Sequence, residues 1–342
     1  MKYFAGLDVS LEETSICVVD EAGSVVREGR VASDPAAIAA WVKPSTPNLV
    51  RLGLEAGPLS PWLHSTLAAA ELPVICIETR RMRGASVLMA VKTDRADARA
   101  IAHAMRVGWY TEVHVKSAAS QELRLLLRNR KTVLEQRVAL DNEIRGTLKA
   151  FGIKLGKVSE GRFADKVVSA IKEQRPSLLA MVAPLLSVRV GLRRSYAELH
   201  RMVLSLVRTS SVCQRFMTVP GVGHVVALTV MTGIDDPSRF NRACSVAAHF
   251  GLTPRKYASG EIDRNGAISK CGDEMVREAL FQAAHTLLTR VKRWSALKAW
   301  GMQVAKRRGL RRATVAVARK LAIILHRMWI TGEAFRWTTR TA

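Results

Sequence analysis

Four acidic residues in the first third of the chain have the types and positions that metal-assisted phosphate chemistry requires. Asp8 ends the first predicted strand, and Glu55 ends a later one. Asp94 and Asp97 open a predicted helix, where side chains at this spacing share one face. Taken singly, each acid is more often a turn or cap residue. Together they would repel one another without a counter-charge, so they predict a site for Mg²⁺ or Mn²⁺, which carboxylate oxygens bind.

Ser259 is the candidate nucleophile. It precedes Gly260 in a predicted exposed turn and follows the basic residues Arg255 and Lys256. A hydroxyl placed there could attack phosphorus while basic side chains hold the developing charge. An exposed serine beside glycine is more often an ordinary turn residue. No His–Asp pair accompanies it in the sequence, so a hydrolase triad is not indicated.

Several glycine and basic positions are predicted to contact nucleic-acid backbone. The turn Pro220-Gly221-Val222-Gly223 precedes a helical run, and amides at such a start can bind a phosphate oxygen. The turn is typical of a helix-hairpin-helix element, although a plain helix–helix turn has the same pattern. Residues 305–320 contain seven basic residues and no acid. The predicted contacts are Lys92, Gly221, Gly223, Arg255, Lys256, Lys270, Lys306, Arg307, Arg308, Arg311 and Arg312.

Composition supports a polyanionic partner. The 342 residues include 53 Lys and Arg against 29 Asp and Glu, a formal charge of +24. A hydrophobic share of 48% is sufficient for a folded core, and five scattered cysteines without a C-x-x-C pair argue against zinc and disulfides. The early charge at Lys2 argues against a signal peptide. Pro184 and Arg189 limit the most apolar stretch, so the sequence predicts a cytoplasmic protein with no membrane partner.

Three regions are expected to position these residues. Residues 1–115 begin with three hairpin strands and continue with helix–strand alternation, which predicts an α/β domain with a mixed sheet. Residues 116–210 carry long apolar stripes broken by an irregular connection, which predicts a helical coiled-coil arm. Its basic residues leave open a plain spacer, a dimerisation arm or an RNA-binding surface. Residues 211–342 are predicted to form a mainly α domain.

The order of the acids resembles the ribonuclease-H-like fold of RuvC-type resolvases. A rival for the first motif, the phosphate-binding opening of sugar kinases and actin-like ATPases, requires a second glycine-rich loop that the chain lacks. The whole set of motifs resembles the insertion-sequence "one-ten" transposases, which are bridge-RNA-guided recombinases. These motifs are Asp8, Glu55, Lys-Thr-Asp-x-x-Asp-Ala at 92–98, Pro-Gly-Val-Gly at 220–223, Gly-Leu-Thr-Pro-Arg at 251–255, Tyr-x-Ser-Gly at 257–260 and Ile-Ser-Lys-x-Gly at 268–272.

The resemblance implies more than the residues do. It implies that Asp8, Glu55, Asp94 and Asp97 bind Mg²⁺ and that Ser259 forms a covalent phosphoserine link to DNA. It also implies a structured bridge RNA that pairs with donor and target DNA, and dimers or tetramers that assemble the reaction. Two alternatives stay open: a RuvC-like nuclease that hydrolyses DNA with Ser259 incidental, and a non-catalytic nucleic-acid-binding scaffold.

Overall fold

The computed structural model of this chain describes residues 1–80, 93–260 and 262–337. It consists of two compact units, Met1–Lys116 and Ser117–Ala342. The division into three regions made from the sequence stays a prediction. Lys92, one of the predicted nucleic-acid contacts, lies outside the described residues.

The first unit is built on one five-stranded sheet with the order β3-β2-β1-β4-β5. Its strands are β1 (Tyr3–Val9), β2 (Glu13–Asp20), β3 (Val25–Ala32), β4 (Leu49–Glu55) and β5 (Val74–Ile77). The first three pair antiparallel, while β4 pairs parallel with β1 and β5 parallel with β4. The mixed sheet predicted from the sequence is therefore confirmed.

Helices cover both faces of this sheet. They are α1 (Pro35–Val42), α2 (Ser60–Ala69) and α3 (Asp94–Val107). Leu7 and Leu54 are buried in one core with α1 and α2, whereas Phe4 and Cys17 are buried in another core with α3. Asp34 caps α1, because its carboxylate accepts a hydrogen bond from the amide of Ala37 at 3.0 Å.

Two glycines let α3 lie directly on the sheet. A Cβ at Gly6 would lie 2.2 Å from the carbonyl oxygen of Ala98, and a Cβ at Gly53 would lie 2.8 Å from the side chain of Met105. Any larger residue at either position would push the helix away. Because side chains alternate along a strand, Asp8 and Glu55, two residues further on, belong to the same face as these glycines.

The second unit begins with two long helices, α4 (Ala118–Ala150) and α6 (Leu179–Thr209), joined through α5 (Phe163–Gln174). Side-chain pairs between them run in opposite directions along the chain, from Arg130 with Tyr196 to Asp141 with Arg189, so α4 and α6 are antiparallel. The connection predicted to be irregular contains α5, whose apolar residues pack into a separate core at this end of the pair. The coiled-coil character of the pair stays a prediction.

Helix α6 contains the most apolar stretch of the sequence. It continues through Pro184 and past Arg189, whose side chain is 1% exposed and bound to Asp141. Among the described residues, the stretch Pro176–Thr209 is long and apolar enough to cross a membrane by length and composition alone. Core helices of proteins without membrane segments pass the same test, so this single stretch is weak evidence of a membrane.

Within the described residues six further helices follow, and most of them share one core with the base of α4 and α6. They are α7 (Ser211–Phe216), α8 (His224–Ile234), α9 (Ala243–His249), α10 (Glu274–Thr289), α11 (Ala296–Arg308) and α12 (Leu310–Thr331). Between α9 and α10, the strands β6 (Pro254–Ser259) and β7 (Ile262–Ile268) form a two-stranded ribbon. The ribbon was not predicted, because its few apolar residues give no alternating pattern.

Candidate active site

Asp8 and Glu55 lie side by side at the ends of two parallel strands. Leu7 pairs with Leu54 in the register of β1 and β4, and each acid directly follows. Both acids line a cavity of about 220 Å³. One wall is the turn after β1, including Ser10 and Leu11, and the other is the loop from β4 to α2. Strands β1 and β4 are neighbours in the sheet, and the two acids follow paired residues at the same edge. The shared cavity is consistent with the proximity that this register implies.

The loop that forms the second wall is fixed by its own hydrogen bonds. The hydroxyl of Ser60 donates to the backbone oxygen of Glu55 at 2.6 Å, and it accepts from the amide of Gly57 at 2.6 Å. The chain therefore turns sharply after Glu55 and returns at the start of α2. This arrangement holds the backbone of Glu55 at the cavity edge.

The other two acids lie in the first turns of α3. Thr93 caps this helix, because its hydroxyl accepts from the amide of Ala96 at 3.2 Å. Asp97 is half-buried and immediately precedes Ala98, the residue that contacts Gly6. Asp94 is exposed, and its carboxylate lies 3.4 Å from the guanidinium of Arg30 on β3. Arg30 shares a cross-strand row with Ser15 and Asp8, so the start of α3 is held at the level of that row.

Glu28 anchors the same end of α3 to the sheet. Its carboxylate accepts from Arg95 and, at 2.9 Å, from Arg99, both on the helix. Burial alone would raise the pKa of Glu28, but the hydrogen bonds from the two arginines outweigh it and lower that pKa below its usual value. Neither Glu28 nor Arg30 is predicted as a site residue from the sequence, because strand β3 alone gives no sign of which helix lies over it.

We expect Glu28→Gln to loosen α3, at a cost of about 1–3 kcal/mol in its local unfolding free energy near neutral pH. A carboxylate whose folded pKa is lowered stabilises above its unfolded pKa, and this contribution is lost as the pH falls through the folded value. The difference between the variant and wild type should therefore shrink below about pH 4. Urea titration of the full chain with pulsed hydrogen exchange at α3 measures it. Glu12→Gln, at an exposed turn, is the control, and equal protection of α3 in both variants would contradict the anchor.

Carboxylate oxygens suit a hard divalent cation, and two of the four predicted acids line one cavity. Asp8 and Glu55 supply carboxylate oxygens at one cavity, the ligand type that Mg²⁺ and Mn²⁺ take. Across the described ranges, no three His, Cys, Asp or Glu side chains are gathered closely enough to hold one metal ion. The structure therefore brings Asp8 and Glu55 together and does not gather Asp94 and Asp97 with them.

Ser259 is the last residue of β6, next to the turn that joins it to β7. It pairs with Ile262 across the ribbon, and all six residues of β6 are exposed. Lys256 lies 3.2 Å from the carboxylate of Asp263, and the guanidinium of Arg255 donates to the backbone oxygen of Ser269 at 3.3 Å. Lys270 is exposed where the ribbon returns to the helices, and its amide donates to the backbone oxygen of Gly251.

The two glycines of the turn before α8 differ in their surroundings. Gly221 has a φ of +90°, and a Cβ there would lie 2.5 Å from the carbonyl oxygen of Ala283 on α10. This glycine is therefore required by close packing and by the turn itself. Gly223 precedes α8 with no atom within 4 Å of a Cβ position, and no side chain caps the helix. Of the two predicted contacts, Gly223 is the one with space for a phosphate.

Two groups of basic residues differ in their surroundings. Two on α4 have intramolecular partners: Arg124 pairs with Asp273 at 2.5 Å, and Lys131 pairs with Glu278 at 2.5 Å. Those at the corner between α11 and α12 are exposed. They are Lys306, Arg307, Arg308, Arg311 and Arg312. The first group binds α4 to α10, whereas the second presents its charge to solvent.

Comparison with known proteins defines the class to which this fold and these residues belong, the DNA transposases. The family model described as "Transposase IS116/IS110/IS902 family" matches residues 213–300, and a DEDD-type model described as "Transposase" matches residues 5–153. The transposase for insertion sequence element IS1111A from Coxiella burnetii is 28% identical over 97% of this chain and 90% of that protein.

Two further relatives agree with this class. A protein of Pseudomonas aeruginosa named as a family 20 transposase is 30% identical over 68% of this chain and 71% of its own length. The transposase for insertion sequence element IS1328 from Yersinia enterocolitica is 27% identical over 71% of this chain and 73% of its own length. The chain belongs to the IS110 family of insertion-sequence transposases.

Proposed function

We propose that this transposase cuts and rejoins DNA through a covalent phosphoserine intermediate at Ser259, assisted by a divalent metal at Asp8, Glu55, Asp94 and Asp97. The observation that carries the proposal is the pairing of Asp8 with Glu55 at one cavity, with the acidic first turns of α3 held at the same row of the sheet. A ribonuclease-H-like fold of the RuvC type accounts for this arrangement, and the DEDD family match supports it.

Asp8 and Glu55 would be the first ligands, because they already share a cavity. Asp97 would join them from α3, since it is half-buried next to the helix–sheet contact. Asp94 would require release of its carboxylate from Arg30. A bound Mg²⁺ or Mn²⁺ supplies charge neutralisation for the phosphate and lowers the pKa of an oxygen bound to it.

The covalent step exchanges one phosphoester bond for another. The Ser259 oxygen forms a bond to phosphorus as the bond from phosphorus to a deoxyribose oxygen breaks. The serine proton passes to a carboxylate or water, and the departing sugar oxygen gains a proton. No water enters the phosphoester, so the bond energy is retained for rejoining. A transposase requires that retention, whereas a hydrolytic nuclease does not.

Partners of the chain follow from its charge and its family. The exposed basic corner of α11 and α12 supports binding to the phosphate backbone of donor and target DNA. An aromatic share of 6% fits a protein that leaves base reading to RNA pairing, so we include a structured bridge RNA as the guide. Dimers or tetramers that assemble the reaction, and action at the nucleoid of a prokaryotic cytoplasm, complete the proposal.

The experiment that tests this function is capture of the covalent intermediate. The purified chain is incubated with the transcribed RNA flanking its gene and with labelled donor and target DNA, in Mg²⁺ or in EDTA, and then denatured. We expect a denaturation-resistant protein–DNA adduct in Mg²⁺ only, with peptide mass spectrometry locating phosphate on Ser259. Hydrolysed ends without an adduct would instead identify a nuclease, and DNA binding without cleavage would identify a scaffold.

A further inference from the structure

The ribbon that carries Ser259 has two faces of unlike charge. Lys256 on one face is neutralised by Asp263, 3.2 Å away. Tyr257 and Arg264 pair across the strands and share the other face with Ser259, because residues two apart on a strand point the same way. No carboxylate within the described ranges pairs with Arg264. The face of the serine therefore carries an arginine whose charge is uncompensated there.

The side chain of Tyr257 fixes where that arginine lies. A Cβ at Gly266 would lie 2.9 Å from Cε2 of Tyr257, so the ring covers Gly266, where a larger residue would displace it. The guanidinium carbon of Arg264 lies 5.8 Å from the centroid of the same ring, within the range of a cation–π contact. Gly266 is further from the turn than Arg264. The ring therefore covers the side of Arg264 away from the turn and leaves the side toward Ser259 open.

The register brings Arg264 close enough to act on the same phosphate as Ser259. Ser259 pairs with Ile262, so Arg264 is its diagonal neighbour across the ribbon. Diagonal neighbours are about 7–8 Å apart, which long side chains can bridge. The planar guanidinium matches two phosphate oxygens at once, in the geometry that makes arginine the preferred phosphate ligand. The exposure of β6 leaves both groups accessible to DNA.

We propose that Arg264 binds the non-bridging oxygens of the phosphate that Ser259 attacks, and that Tyr257 on Gly266 positions Arg264 for this contact. Arg264 stabilises the negative charge that develops on the phosphate. This inference rests on the proposed function, because it requires Ser259 to be the nucleophile. It adds a catalytic residue that the sequence motifs did not indicate, and it gives a positioning role to the tyrosine of the Tyr-x-Ser-Gly motif.

The test compares Arg264→Gln with Lys292→Gln, which removes one charge from an exposed position between α10 and α11, away from the ribbon. We expect Arg264→Gln to slow adduct formation by about 100-fold or more and Lys292→Gln to leave the rate close to that of wild type. DNA affinity should fall by less than about tenfold, since one phosphate contact among many is lost. Tyr257→Phe should keep the rate, because the ring remains, and Tyr257→Ala should lower it.

A neutral substrate separates a phosphate contact from a structural effect. When a methylphosphonate replaces the reacting phosphate, the charge that Arg264 stabilises is absent, so Arg264→Gln and wild type should react at similar rates. An equal loss on both substrates, or an unchanged rate on ordinary DNA, would overturn the role of Arg264 while leaving the Ser259 adduct intact. If wild type forms no Ser259 adduct at all, the proposed function and this inference both fail.

Discussion

Ser259→Ala is expected to abolish the protein–DNA adduct and to lower strand transfer by about 10⁴-fold or more, the scale of loss when a nucleophile is removed. The change deletes one exposed oxygen at the end of β6 and makes no new contact. The ribbon should therefore stay folded, and DNA should still bind. Denaturing gels with labelled donor DNA measure the adduct, and joined-product sequencing measures transfer.

Ser269→Ala is the matched control, since Ser269 lies at the base of the same ribbon and its hydroxyl accepts only a long hydrogen bond from the amide of Cys271 at 3.4 Å. This variant should retain both adduct and transfer. Ser259→Cys is a second probe, because a thiol can attack phosphorus and would form a more labile link through a sulfur–phosphorus bond, with the deoxyribose oxygen as the leaving group. Strand cleavage that persists in Ser259→Ala would remove the serine from the mechanism and favour hydrolysis.

The sheet and the acids at its strand ends could be predicted from the sequence, because each depends on a short local pattern. Asp8 and Glu55 stand at the ends of apolar segments that can only be strands, and parallel neighbours end at the same edge. Asp94 follows a threonine that caps a helix, which fixes where the acid turn begins. The proximity of Asp8 and Glu55 follows from strand order. The order itself, β3-β2-β1-β4-β5, needs only short connections and two parallel crossovers, from β3 through α1 to β4 and from β4 through α2 to β5.

The contacts that position the acids could not be predicted from the sequence, because they join residues far apart in the chain. Glu28 and Arg30 are unremarkable charges on an exposed edge strand until α3 is placed over them. The ribbon was hidden for another reason. Residues 254–259 and 263–267 are all exposed, so the alternation that marks a half-buried strand is absent there. The contact between Tyr257 and Gly266 can be predicted only once the register of β6 and β7 is known.

Asp8→Asn should lower the rate of strand cleavage by about 10³-fold or more. It should also remove the stabilisation that divalent metal gives to the fold. Without metal, the variant is expected to unfold at the same temperature as wild type or higher, because one of two adjacent carboxylates becomes neutral. Addition of Mn²⁺ should stabilise wild type, by about 2.7 kcal/mol at one hundred times its Kd. It should leave Asp8→Asn unchanged. Thermal unfolding of the full chain with and without Mn²⁺ measures the difference.

The matched control for this charge change is Asp34→Asn. It removes one carboxylate from the same unit, and asparagine still caps α1, so folding and the metal response should match wild type. Asp94→Asn should lower cleavage less than Asp97→Asn does, since the carboxylate of Asp94 is paired with Arg30 in the free protein. Full cleavage by Asp8→Asn in Mg²⁺ would show that the paired acids do not gather the metal. An Mn²⁺ response that persists in Asp8→Asn would place the ion elsewhere in the chain. The two measurements together therefore separate loss of metal from loss of chemistry, which activity alone cannot do.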